Sequence, residues 1–477
     1  MRRKIVYFFL IVAVCFSLGH TQKLSVGKSN KKDELQVVKM TVSPADEPRT
    51  ALKYQFFPNY LDQTCGNAAL LYNTAVKFLP DDKDKMEEKI NDWLDMSPEE
   101  LPVAQVQQTL DQYREALHQL NLATHREHCD WQIPIRSEGF AVMLGHLGDT
   151  RRLAKVLALK IRLQILQGKH DEVVSDLQNG FVMGRQVAEG YILVADLVGM
   201  SIAKLMLKQV EQLIQQSDAP NYYWALTDLP QPFIDMYQAM HFETVCIYNQ
   251  FPQLRHIRTA QMTSLEAFEQ YNDIFVKLYE LCENSGIIPG RLITAGDVLL
   301  NYQDAKNYLL QNGVSLERVQ GIPAAQAVLI YQLEQYDYIT GKMFKWFSVP
   351  YWQGREGVQQ AEQYFEKQHS QNFKTRTNPF LAFLPALGRA YFLGARLDRH
   401  IAALRCVEAL RMYAAEHGGK LPATLGEITK VPIPLDPTTG NEFEYRVDDG
   451  NAVIESPAPA GYTPRYGGLH YEITIKK

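Results

Sequence analysis

This sequence predicts a mainly α-helical chain, a multi-helix body built from αα-hairpins that ends in one helix and a small antiparallel β-sheet. Three observations carry the expectation. Apolar residues recur at steps of three and four through most of residues 60–417, the mark of helix faces turned to a core. Little of that span alternates as a half-buried strand does. After Gly418-Gly419 the texture changes to short extended runs punctuated by Pro and Gly, through residues 420–428 and 432–446.

In chain order, Arg2, Arg3 and Lys4 form a basic start and residues 5–18 an uncharged run. That run is short for a bilayer span and fits the apolar part of an export signal, assigned to residues 1–22. Small residues near the cut, Gly19 and Thr21, make no clear Ala-x-Ala, so an uncleaved anchor is the competing reading. Residues 23–50 are polar and aperiodic and read as a flexible linker. The helical body is expected over residues 51–372, and a long helix with the small β tail over residues 373–477.

Residues 67–79 read as the first helix, closed by Pro80. Ser97-Pro98-Glu99-Glu100 has the composition of a capped helix start. The long helix expected after it places Val103, Val106, Leu110, Tyr113, Leu117 and Leu120 on one face. Residues 153–166 and 171–187 form a hairpin around Gly168, with the acidic second-helix start of a tetratricopeptide-type pair. The motif's Trp and early Gly are missing, and no copy recurs 34 residues away. Residues 191–215 form a third, centrally buried helix; Asp196 and Lys204 argue against a membrane span there. Further helices are expected at 232–250, 264–284, 300–310, 323–346 and 353–372, and a final one over 378–417. In that last helix Arg389, Arg396, Asp398 and Arg399 interrupt the apolar face.

The formal net charge is −5. Removal of the signal takes away three further cations, so no basic stripe for nucleic acid remains. Beyond the signal lie Cys65, Cys129, Cys246, Cys282 and Cys406, widely spaced and without a C-x-x-C. Zinc ribbons and thioredoxin-type redox are unsupported, and the pairing of these thiols is left open.

The densest group of reactive side chains is His118, His125, His128, Cys129 and Asp130. On a helix, His125 and His128 would share a face and could reach a metal. The competing reading is a helix end, where His suits the last turn, with Trp131 packed beneath. The aromatic run 343–352 is either a binding platform or buried rings, with burial favoured. Asp436, Asp448 and Asp449 are candidate calcium oxygens without an EF-hand spacing. Paired carboxylates at Glu87-Glu88, Glu99-Glu100 and Asp448-Asp449 read as solvated faces. No P-loop, G-x-S-x-G or H-E-x-x-H is present. No catalytic, cofactor-binding or metal residue is assigned.

Two resemblances follow. Ala409-Leu-x-x-Tyr413, Gly419-x-Leu-Pro422, Leu425-x-x-Ile428, Pro434-x-Asp-Pro437 and Gly440-x-x-Phe-x-Tyr445 resemble the globular tails of type II secretion pseudopilins. That resemblance implies one long helix lying on a small antiparallel sheet over residues 379–456. A pilin begins with its apolar spine, whereas this helix follows more than 300 residues of other structure. Asp62-x-x-x-x-Gly-Asn-Ala-Ala69, His128-Cys-Asp-Trp131, Tyr223-Trp-Ala-Leu-Thr-Asp-Leu-Pro230 and Lys345-Trp-Phe-x-x-Pro-Tyr-Trp352 resemble a group of secreted proteins of planctomycete-type bacteria. This second resemblance implies export and a helical body and lends no residue roles. The expectation is a non-catalytic envelope protein that scaffolds or binds a protein partner, reaching the membrane only through an uncleaved signal. The alternatives are an exported hydrolase with a dispersed site near His125, His128 and Cys129, and a pseudopilin-like secretion component.

Overall fold

The computed structural model describes residues 35–80, 83–139, 142–282, 290–372, 378–383 and 387–476. The export signal, and the linker as far as residue 34, lie outside the described residues.

The chain is mainly α with a small sheet. Strand β1 (Val37–Val42) comes first, then β2 (Thr64–Asn67), α1 (Ala68–Lys77), α2 (Lys83–Asp95), α3 (Val103–Gln112), α4 (Arg114–Thr124) and β3 (Arg126–His128). The body continues through α5 (Gly145–Leu166), α6 (His170–Ala188), α7 (Leu193–Ile214), α8 (Tyr237–Gln250), α9 (Ser264–Cys282), α10 (Arg291–Gln311), α11 (Ala324–Phe344) and α12 (Tyr351–Asn372). The last helix is α13 (Leu387–Glu416), followed by β4 (Glu444–Asp448), β5 (Asn451–Ser456) and β6 (Leu469–Ile475).

Local chemistry sets the helix ends. Asn67 caps α1 by accepting from the Ala69 N–H. After α5, Gly168 takes φ +67°. Lys169 N–H then reaches Gln164 O and Gly168 N–H reaches Ile165 O, which satisfies carbonyls the helix leaves open. The same closure ends α13, where Gly419 N–H donates to Ala414 O. At the end of α2 the buried Arg162 guanidinium takes the place of a glycine, donating to Trp93 O, Leu94 O and Met96 O at 2.8–2.9 Å.

Three expectations need correction. Pro98–Glu100 is only a single 3-10 turn, and Ser97 makes no side-chain cap. The long helix expected beyond it is two, α3 and α4, separated at Tyr113, which is not helical at ψ 6°. Both nevertheless keep one face inward. Residues 37–42, placed by sequence in a polar linker, form a strand with Met40 and Val42 buried. That strand pairs parallel to β6, so the sheet order is β1-β6-β5-β4 and the sheet is mixed; β4, β5 and β6 are antiparallel among themselves. Its alternation is too short to be distinct in the sequence, and its partner lies more than 400 residues away.

One continuous core runs from Phe56 and Tyr72 through α5–α7 and α13 to Ile454 and Ile473 of the sheet, so body and tail share their apolar interior. A smaller core under α2 and α3 is closed by Val156, Leu159 and Leu163 of α5. Among the described residues no helix is long and apolar enough to cross a membrane.

At the centre, α6 and α7 touch backbone to backbone. A Cβ on Gly199 would stand 2.4 Å from the Gly184 carbonyl oxygen, and one on Gly184 3.1 Å from the Gly199 oxygen. Gly199→Ala is therefore expected to destabilise by about 1–3 kcal/mol despite alanine's better helix propensity, because two helices must part. Chemical denaturation reads this directly.

The second anchor is an ion pair inside α13. Arg411, fully buried, holds Glu408 at 2.8 Å and donates to Ser43 O, Ala219 O and Pro220 O. Glu408 accepts the Tyr222 N–H at 3.0 Å. Arg411→Met is expected to cost about 3–5 kcal/mol, since it strands a buried carboxylate. Adding Glu408→Gln should return part of that loss in the same denaturation measurement.

Candidate functional site

The His/Cys group comes apart in three dimensions. Helix α4 stops at Thr124, so His125 and His128 lie on no common helix face. His125 caps the helix end, its Nδ1 at 2.7 Å from Asn121 O. His128 is in β3 with its side chain about half exposed, 4.0 Å from Glu127. Cys129 is buried, and burial together with the Glu189 carboxylate pushes its thiol up, away from the thiolate form. Its N–H donates to Glu189 Oε2 at 2.9 Å. The Asn67 side-chain amide donates from Nδ2 to Asp130 O and accepts the Asp130 N–H at Oδ1. Trp131 stacks between Tyr72 and His146, with centroids at 5.6 and 4.6 Å. His118 sits apart, on α4 at a different shallow cleft. Among the described residues no group of His, Cys, Asp and Glu is arranged to hold a metal. The region is a structural joint: β2 and β3 pair here, with Thr64 opposite Arg126 and Asn67 opposite His128.

The tail aspartates separate as well. Asp436 is buried and accepts from Thr438 N–H, the Thr438 hydroxyl and the Ser456 hydroxyl at 2.6–2.8 Å. Asp448 and Asp449 are exposed at the β4–β5 turn, where Asp449 (φ +46°) and Gly450 (φ +80°) reverse the chain. The described cysteine side chains, Cys65, Cys129, Cys246 and Cys406, are free thiols.

The aromatic run is only partly buried: Phe344, Trp346 and Phe347 are half-buried. Met343 is in the core, and Phe347 and Tyr351 pack on Tyr391 at 4.5 and 5.0 Å. Trp352 differs: it is 42% exposed. Its ring lies over Gly440, where a Cβ would come within 2.5 Å and the backbone holds φ +75°, so this contact requires glycine.

Trp352 marks the rim of the cavity that is the strongest candidate site, of about 820 Å³. Its floor is one face of α13: Tyr391, Gly394, Ala395, Asp398, Ile401, Ala402 and Arg405. These recur at three, four and seven, so they share a face. Small residues at 394, 395 and 402 leave the space. The loop 231–237, the segment 347–352 and the tail segment 434–437 wall it in. Tyr237, Trp352 and Leu435 expose large apolar surface at its mouth.

Two unlike charges stand on the floor. Asp398 Oδ1 accepts the Phe233 N–H at 2.9 Å, and the residue makes no ion pair among the described residues. Burial pushes its carboxyl up to about 7, so it changes charge near neutral pH. Arg405 lies over the Tyr223 ring at 5.3 Å and donates to the Tyr223 hydroxyl at 3.2 Å, again without a carboxylate partner among the described residues. Seven residues of helix put the two about 10 Å apart along the axis. In the sequence Asp398 stands out only as a break in an apolar face, and Arg405 does not stand out. Their shared spacing with Tyr391 was the available signal.

Asp398 also sets a pH dependence. Its folded-state value lies above the reference near 3.8, so the unfolded chain releases this proton first. The stabilising contribution is whole below pH 4 and is lost as the pH rises to 7. Asp398→Asn is expected to leave stability unchanged at pH 4 and to raise it at pH 8, by at most about 4 kcal/mol, in urea titrations at the two pH values. Comparison of the chain with protein-family models, with curated proteins and with solved structures finds no match.

Proposed function

We propose that this chain is an exported, non-catalytic binding protein of the cell envelope, and that it holds a short extended peptide segment of a protein partner in the groove over α13. The observation that carries the reading is the pairing of an apolar, aromatic mouth with two uncompensated and opposite charges on the floor. Apolar walls supply affinity and a few placed polar groups supply orientation. Three extended residues span about 10 Å, the separation of Asp398 and Arg405 along the helix. A lysine or terminal amine would meet Asp398, and a carboxylate would meet Arg405 in the two-pronged geometry guanidinium favours. Two of the four segments that resemble secreted planctomycete-type proteins contribute here, through Tyr223 and through residues 347–352. The export part of the proposal rests on the basic and apolar pattern of the first 22 residues.

Calorimetric titration with tri- to pentapeptides carrying a lysine and, two or three residues on, a free C-terminal carboxylate tests the groove. Binding is expected to tighten from pH 6 to pH 8 as Asp398 ionises. It should weaken about tenfold or more in Asp398→Asn and in Arg405→Gln, the usual range for a lost charge-assisted bond. Peptide affinity that is the same in both variants as in the parent would sink the proposal. Recovery of the native protein from envelope fractions tests the export part.

A further inference from the structure

The opposite side of α13 carries a second, chemically different cavity, of about 260 Å³, between α7, α13, β6 and the turn at residues 464–468. Its lining is cationic. Lys204 and Lys208 stand one helical turn apart on α7, Arg396 faces them from α13, and Arg465 closes the rim. Glu211 is the one acid among the lining residues; it accepts from two other lining groups, His400 Nε2 at 2.8 Å and the Tyr471 hydroxyl, and offsets part of the charge of Lys204 and Lys208, so the cations remain in excess. Lys204, Lys208 and Arg396 form no ion pair among the described residues. Arg396 instead lies over the Tyr466 ring at 5.0 Å. Deeper in, the Arg399 guanidinium is held by Ser456 Oγ and Gly467 O, while its buried Nε has no partner.

Like charges do not gather in a half-buried space for stability. Lys204 registers the cost: burial, then the neighbouring Arg396 and Lys208, pull its ammonium down to about 8. The whole chain is acidic, at −5, so this is a local reversal of sign. A monocarboxylate would neutralise one of these cations, whereas a dianion with several acceptor oxygens answers Lys204, Lys208 and Arg396 together.

We propose that this cavity is an anion site for a phosphate group, either inorganic phosphate or the phosphoryl group of a small phosphomonoester. The proposal is independent of the peptide groove, which shares none of these cations.

The test is calorimetric titration of the full chain with sodium phosphate and with glycerol 3-phosphate, at ionic strength held constant with chloride, together with thermal unfolding in the same buffers. The expected result is saturable binding near one equivalent, at least tenfold weaker in Lys204→Met and in Arg396→Gln and unchanged in the distant Lys420→Gln. Tight binding of phosphate with none of the ester identifies the free ion as ligand; tight binding of both identifies the phosphoryl group. Phosphate stabilises proteins generally by exclusion from their surface, so only the difference between parent and variants counts. Lys204→Met should also raise the unfolding midpoint in chloride, since it removes a charge that burial and neighbouring cations disfavour, and should lose the phosphate-specific increment. Absence of saturable binding to the parent chain, or equal binding by the parent and both variants, overturns the proposal.

Discussion

The buried pair of Arg411 and Glu408 is the interaction on which the arrangement of the chain depends. Neither side chain meets solvent, so each needs every hydrogen bond the fold can supply. Those bonds come from distant segments. Ser43 O belongs to the stretch that follows β1, and Ala219 O, Pro220 O and Tyr222 N–H belong to the connection after α7. Asn221 adds a bridge, donating to Ala45 O and Glu408 O. A charge that would otherwise be stranded thus fixes the N-terminal segment, the middle of the body and the last helix relative to one another.

Arg399 repeats the device three turns earlier. It is buried and donates to Ser456 and Gly467, while the carboxylate of Asp436 nearby favours its charge. One arginine therefore secures the residues before the body, and the other secures the sheet that ends the chain. With β1 laid beside β6, the two extremes of the described chain close on the same helix. This is why α13 shows little amphipathicity: it is surrounded, and its polar residues serve as ties and cavity floors. The Tyr391, Asp398 and Arg405 face opens to the larger groove, and the Arg396, Arg399 and His400 face opens to the cationic cavity.

Local patterns were legible where local energetics decide. The Gly168 and Gly418-Gly419 helix ends, the α5–α6 hairpin and the buried α7 follow from backbone sterics and apolar periodicity. The long helix after Ser97 was not, because Tyr113 breaks a face that keeps its period across two helices. The metal alternative for His125 and His128, less favoured than the helix end, lacks its geometry for a related reason. It assumed that helical spacing continued past Thr124, where the chain turns into β3. Of the candidate site, the aromatic run and the charged break at Asp398 were visible as residues, but nothing local said that they meet.

By itself, then, the sequence determined the mainly helical class, most helix spans and the change of texture after Gly419, because these depend on contacts within a few turns. The tertiary structure alone decided that residues 37–42 are an edge of the C-terminal sheet, that Arg411 finds its carbonyl partners nearly 200 and more residues away, and that Asp398, Arg405 and Trp352 border one groove. Each of these depends on which desolvated charge or strand edge must be satisfied by a remote segment, and pairings of that kind leave no periodic trace along the chain.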